Sequence, residues 1–225
     1  MSTQTLSPTT RSTLRRGARR ARTDRAELYA ALDTALVCHL GLVVDGAPVV
    51  LPTVFGRDGD TLYLHGSTGA ASLRAAAAGA PVCVTVTHVD GVVYARSVFH
   101  HSMNYRSAVV HGRARLVTDA DERMAGLRAV TEHVAPGSWE HARLPTRKEL
   151  AATAVLALDL AEASLKVRTG PPVDDDEDVE AGGRWAGVVP LSSTFGTPQP
   201  CSLLPPGSTT PTHVVTRCRT DHDRP

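Results

Sequence analysis

The sequence predicts a mainly β domain, a small closed or partly closed antiparallel barrel with flanking helices. Three observations predict it. About seven apolar, β-branched runs recur through the middle of the chain. Asp-Gly pairs stand between several of them, at 45–46, 58–59 and 90–91, and Asp-Gly between apolar runs is a strong hairpin signal. Strands and long helices do not alternate regularly, which argues against a doubly wound parallel sheet. Closing the sheet removes exposed edges.

The elements follow in order. Asp24 with Glu27 reads as a capping box, and Leu28, Ala31, Leu32 and Ala35 form one apolar stripe of a helix. Residues 37–44, 48–55 and 61–65 read as three strands of a meander, joined at Asp45-Gly46 and at Arg57–Asp60. A loop, Gly66-Ser67-Thr68-Gly69, leads into an Ala-rich helix over 70–78 that stops at Gly79-Ala80-Pro81. Residues 82–89 and 92–98 read as two strands across Asp90-Gly91, and 105–117 as a long strand bent at Gly112. Asp119 and Asp121 open a helix to about His133, and Thr146 opens a short one. Residues 153–160 and 163–168 return as strands.

Composition sets limits. The chain has 225 residues, 42% hydrophobic and 21% charged, enough for a substantial core without staples. A formal net charge of +1 argues against a nucleic-acid protein acting through its overall field. No apolar stretch is long enough to cross a bilayer, and no apolar signal core follows the N-terminus. Cys38, Cys83, Cys201 and Cys218 lie far apart, which excludes a zinc ribbon and a disulfide scaffold and suits a reducing cytoplasm. No metal site is expected.

The ends differ from the middle. Residues 1–23 form an Arg-rich arm, read either as solvated or as wrapping a partner subunit or meeting an anion. The domain runs over 24–190. Residues 191–225 are rich in Ser, Thr, Pro and Gly and are expected to be a mostly disordered tail.

Two segments carry candidate chemistry. At 64–79 a strand ends, a Gly/Ser/Thr loop follows and a helix begins, which is an arrangement suited to an anion. It is neither a Walker loop nor a dinucleotide fingerprint. Its bland reading is a capped helix after a turn. The second segment, 96–107, holds His100, His101, Tyr105 and Arg106. Arg106 suits a forked contact with phosphate or carboxylate, and Tyr105 suits stacking on a flat ring. The bland reading is a loop or subunit interface. His39, His88 and His111 read as partly buried structural histidines, and the acidic run from Asp174 to Glu180 as a solvated loop.

Taken together, HGSTG at 65–69, ARSVFHHSMNYRS at 95–107, RTGPPVDDDED at 168–178 and WAGVVPL at 185–191 resemble the pyridoxamine 5′-phosphate oxidase-like flavin-nucleotide-binding proteins. The resemblance is to the branch that contains nitroimidazole-resistance reductases, and it covers about residues 10–192. It implies a split β-barrel homodimer with FMN at the subunit interface; a deazaflavin or haem are the alternatives. It places the flavin phosphate on His65, Gly66, Ser67, Thr68 and Gly69, and the isoalloxazine ring beside Val50, Leu51, Pro52 and Thr53. Tyr105, Arg106 and Ser107 then close the site, and His65 stands near the reactive ring, a catalytic candidate. One departure is visible. Relatives carry a basic residue just after the loop, where this chain has Ala70 and Ala71; the nearest cation is Arg74.

The expected function is an FMN-dependent oxidoreductase passing electrons or hydride to a small organic acceptor. A flavin-binding module without turnover is the second reading. A haem protein with His100 and His101 as ligands is the third.

Overall fold

The computed structural model describes residues 5–6 and 9–218. The first half of the chain contains β1 (Ala21–Arg22), α1 (Arg25–Thr34), β2 (Cys38–Val44), β3 (Ala47–Thr53), β4 (Phe55–Asp58), β5 (Thr61–Ser67), α2 (Ala71–Ala77) and β6 (Pro81–Tyr94). The second half contains β7 (Ser102–Arg113), β8 (Arg115–Leu116), α3 (Ala120–Val134), α4 (Ser138–His141), α5 (Arg147–Ala152), β9 (Thr153–Asp159), β10 (Ala163–Arg168), α6 (Asp176–Ala181), β11 (Gly187–Pro190) and α7 (Thr212–Arg217).

These strands form two antiparallel sheets. The larger runs β1-β10-β7-β6-β2-β3, with β11 on the far half of β6, and the smaller runs β4-β5-β9-β8. They close around one core. Leu40, Val84, Val86 and Val110 come from the larger sheet, Leu62, Leu64, Leu156 and Leu158 from the smaller, and Leu28 and Leu32 from α1. All are nearly fully buried, and each such side chain contributes about 1.5–3 kcal/mol. The smaller sheet also buries its other face. Tyr63, Val155 and Ala157 pack with Val130 of α3 in a second cluster. Gly56 makes this close approach possible, because a Cβ there would lie 2.3 Å from the backbone carbon of Ala129.

Four expectations change. The 48–55 run divides at Val54: β3 pairs with β2, but β4 pairs with β5, so the meander breaks and the chain changes sheets. The Asp90-Gly91 pair is not a hairpin turn. β6 runs through it as one strand with a bulge between Val89 and Gly91, and β11 pairs there. The β7 strand ends at Arg113 rather than bending at Gly112, whose missing Cβ makes room for Leu158. His39 is exposed on β2 rather than partly buried.

The arm takes a course of its own. Leu6 joins the buried core, Thr9 and Arg11 bond Glu162, and β1 adds to the edge of β10. Residues 1–4 and 7–8 of the arm and 219–225 of the tail lie outside the described residues. From 191 to 211 the chain has no helix or strand. α7 then docks on the α3–α4 corner, where Arg217 reaches the Val134 carbonyl and the His213 ring meets that of His141 at a tilt of 57°. No helix among the described residues is long and apolar enough to cross a membrane.

Candidate functional site

The residues predicted to hold a flavin fall on three separate elements. Val50, Leu51, Pro52 and Thr53 lie on β3, the edge strand of the larger sheet, where Val50 is 66% exposed. His65 to Gly69 end β5 in the smaller sheet. Tyr105, Arg106 and Ser107 lie in the middle of the larger sheet on β7. Within one chain the 65–69 loop and the Tyr105–Ser107 segment belong to different sheets and share no hydrogen-bond partner among the described residues.

Much of the loop's donor capacity is used locally. Thr68 N–H donates to the Ala152 carbonyl, Gly69 N–H to Ser67 Oγ and Ala70 N–H to the Ser67 carbonyl. Arg74 folds back, and its Nη1 donates to the Gly69 carbonyl at 2.6 Å. The cation that sequence places one turn beyond the loop therefore stands against it. Arg106 is engaged elsewhere: Asp90 takes its fork, with Nη2–Oδ1 at 2.9 Å and Nε–Oδ2 at 3.1 Å.

The late acidic run has a structural task. Asp174 is buried and takes both the backbone N–H and the guanidinium of Arg96, at 2.8 and 2.7 Å. Asp175 meets His100 Nε2 at 3.1 Å. The 169–175 segment is thereby clamped onto 96–101 instead of forming a solvated loop. His100 and His101 lie between β6 and β7 and on neither strand. His100 ends a 3₁₀ turn (Val98–His100) and His101 follows it, so both rings line one cavity.

That cavity, about 590 Å³, lies between the 98–102 segment and the end of β10. Its walls carry Arg19, Arg20, Arg22 and Arg168, with Phe99, Val167 and Val173. Arg168 is 8% exposed and has no carboxylate partner among the described residues; it bonds Asn104 Oδ1 and the carbonyls of Gly170 and Pro171. Burial, and then the neighbouring Arg20 and Arg19, push its guanidinium below the ordinary value. Arg19 and Arg20 make no ion pair among the described residues, while Arg22 faces Glu27 at 3.4 Å. Three arginines without carboxylates, one of them buried, leave positive charge that an anion would neutralise.

His65 faces a second cavity, of about 370 Å³, roofed by α3, α4 and α5. Its side chain shares the outward face of β5 with Tyr63, because neighbouring residues on a strand alternate. Burial holds its imidazole below the ordinary value of 6.5, so the ring is neutral at pH 7, and its buried Nδ1 has no hydrogen-bond partner.

Arg168, Arg19 and Arg20 were absent from the predicted site. The signal available was Arg168 itself, a cation closing the strand run ASLKV. Its burial depends on Asn104 and the 170–171 turn, which are distant in sequence. Among the described residues no three His, Cys, Asp or Glu side chains stand together as a metal site.

Comparison with known proteins places this geometry. The family model for pyridoxamine 5′-phosphate oxidase matches residues 24–167. A FAD and haem binding protein from Mycobacterium smegmatis is similar at 45% identity and TM-score 0.84, over 88% of this chain and 97% of that one. The flavocytochrome Anf3 from Azotobacter vinelandii is similar at 38% identity and TM-score 0.88, over 94% and 98%. A Bacteroides thetaiotaomicron protein assigned to 5-nitroimidazole antibiotic resistance shares the fold, at 21% identity and TM-score 0.56, over 65% and 86%. No curated protein matches.

Proposed function

The chain belongs to the pyridoxamine 5′-phosphate oxidase family, with its split-barrel fold, and from that premise we propose that it is an electron-transfer flavoprotein that also carries a haem. The observation that carries the haem is the arginine-lined cavity. Haem is a flat apolar disc with two carboxylates on one edge. Arg168, Arg19 and Arg20 suit those carboxylates, and Phe99, Val167 and Val173 suit the disc. His100 and His101 supply nitrogen ligands from the same wall. His101 Nδ1 accepts the Ala95 N–H at 3.2 Å, so ligation through its Nε2 requires that contact to exchange, whereas His100, held by Asp175 at Nε2, offers Nδ1.

Flavin binding is supported by two relatives that match nearly end to end, one named for FAD and haem and the other a flavocytochrome. FAD is therefore preferred to FMN or a deazaflavin. Thr68 and Arg74 are the side chains of this chain best placed for a phosphate, since the loop amides are largely engaged. A second copy of the chain completes the site. β3 is an edge strand with Val50 and Leu51 exposed, and Val92, Tyr94 and Met103 extend the open apolar surface of the larger sheet. The protein holds and orients the two groups and keeps water from them, and the groups when bound supply the electron chemistry, with a small organic molecule as acceptor.

The full chain, purified and titrated with FAD and haemin, tests this. Bound flavin absorption and a Soret band are expected, with the Soret band shifted or lost in His100→Ala or His101→Ala. A preparation that binds neither group overturns the reading. Flavin binding without a Soret band removes the haem alone. Tight flavin binding with no reduction by NADH or NADPH favours a carrier without turnover.

A further inference from the structure

We propose that the cavity beneath α3 is a binding site for a small, uncharged, flat molecule with one hydrogen-bond acceptor, of the aryl ketone or aryl aldehyde class. The inference rests on this cavity alone and not on the flavin or haem reading. At about 370 Å³ the space suits a single substituted ring rather than a nucleotide. Leu127, Trp139, Leu144 and Leu150 supply apolar walls. The charges at its rim cancel: Arg143 forks onto Glu149 at 2.8 and 2.9 Å, leaving no free cation for an anionic ligand.

The polar side is His65. Its ring makes no hydrogen bond among the described residues, and Nδ1 is sealed from solvent while Nε2 is the accessible nitrogen. A buried N–H without an acceptor is costlier and rarer than a buried lone pair without a donor. The neutral ring therefore keeps its proton on Nε2, which can donate to a molecule in the cavity that His65 lines. A ligand must offer an acceptor there. Ser138, whose hydroxyl has no partner among the described residues, also lines the cavity and adds a second donor.

Saturation-transfer NMR on the full chain as isolated tests the site with three probes of one shape: acetophenone, ethylbenzene and benzoate. Acetophenone is expected to bind saturably, about fivefold or more tighter than ethylbenzene, which lacks the acceptor, and than benzoate, which brings a charge. His65→Leu is expected to erase the preference over ethylbenzene. The wild-type comparison stands even if that variant fails to fold. No saturable binding, equal affinity for acetophenone and ethylbenzene, or a preference that survives His65→Leu overturns the proposal. The titration is repeated on protein loaded with FAD. Unchanged affinity supports a separate site, and loss of the acetophenone signal overturns it by assigning the cavity to the flavin.

Discussion

Two cavities flank the same barrel and solve opposite electrostatic problems. The one at the end of β10 gathers Arg19, Arg20 and Arg168, which hold no carboxylate among the described residues, and one of these cations is buried. The one under α3 holds a neutral His65 and an Arg143–Glu149 pair that cancels itself. The first is unfinished without an anion; the second would be spoiled by one. Cavity size therefore says little about ligand class. The count of charges left without partners says more.

The largest expected effect separates the cavities mechanically. Gly56→Ala drives a Cβ into the backbone of α3. We expect a loss of about 3 kcal/mol in urea unfolding, with acetophenone binding abolished, because α3 roofs the His65 cavity and contributes nothing to the arginine-lined one. Haemin binding below the melting temperature should persist; its parallel loss would mean that the two sites are not independent.

Next is the charged cavity. Arg19→Ala with Arg20→Ala removes two cations that hold no carboxylate, so the fold should be little affected. Haemin affinity should fall about a hundredfold, from two charge-assisted contacts. Raising salt to ~1 M should weaken haemin and leave acetophenone unaffected. Equal salt sensitivity at both sites would break the contrast.

A smaller effect concerns acid. The His65 value is lowered in the fold, so the unfolded chain binds the proton more readily. Stability from this group is present at neutral pH and is lost as pH falls from about 6.5 through the lower folded value. His65→Leu should flatten that limb of a melting-temperature profile between neutral and mildly acid pH. An unchanged limb would place the acid sensitivity elsewhere.

The smallest effect is at the rim. The Arg143 fork, with Thr146 N–H and hydroxyl, holds the Glu149 carboxyl down at about 2. Its contribution is present above the ordinary 4.5 and lost as pH falls toward 2. Arg143→Ala should raise the Glu149 titration seen by carboxyl NMR while barely moving the melting temperature, as an exposed pair contributes little. It should also admit benzoate no better; improved benzoate binding would show that the pair, and not the missing cation, excludes anions.

Most strands, and the caps Asp24, Asp119 and Thr146, were legible from local signals; the predicted Asp24–Glu27 box does not form, because Asp24 takes the Ala26 N–H and Glu27 faces Arg22. Asp119 caps α3 and Thr146 with Glu149 forms a full capping box on α5, interactions that span three residues. Periodicity also marked the stripe of Leu28, Ala31, Leu32 and Ala35, all of which are buried. It did not show that Asp90-Gly91 is a bulge, since the partner that stabilises it, β11, arrives about a hundred residues later. His65 was found by its loop, but not that it faces α3 rather than the larger sheet's Tyr105–Ser107 segment.

What remains beyond local reading is charge balance. A stretch of sequence announces a strand or a cap because its causes lie within a few residues. Whether Arg168 is paired or stranded depends on which carboxylates the fold brings near. The two nearest in the acidic run, Asp174 and Asp175, are taken by Arg96 and His100. Residue type and spacing thus decided that a β barrel forms. Only packing in three dimensions decided which cations stay without a counter-charge, because electrostatic interaction depends on distance through space and not along the chain.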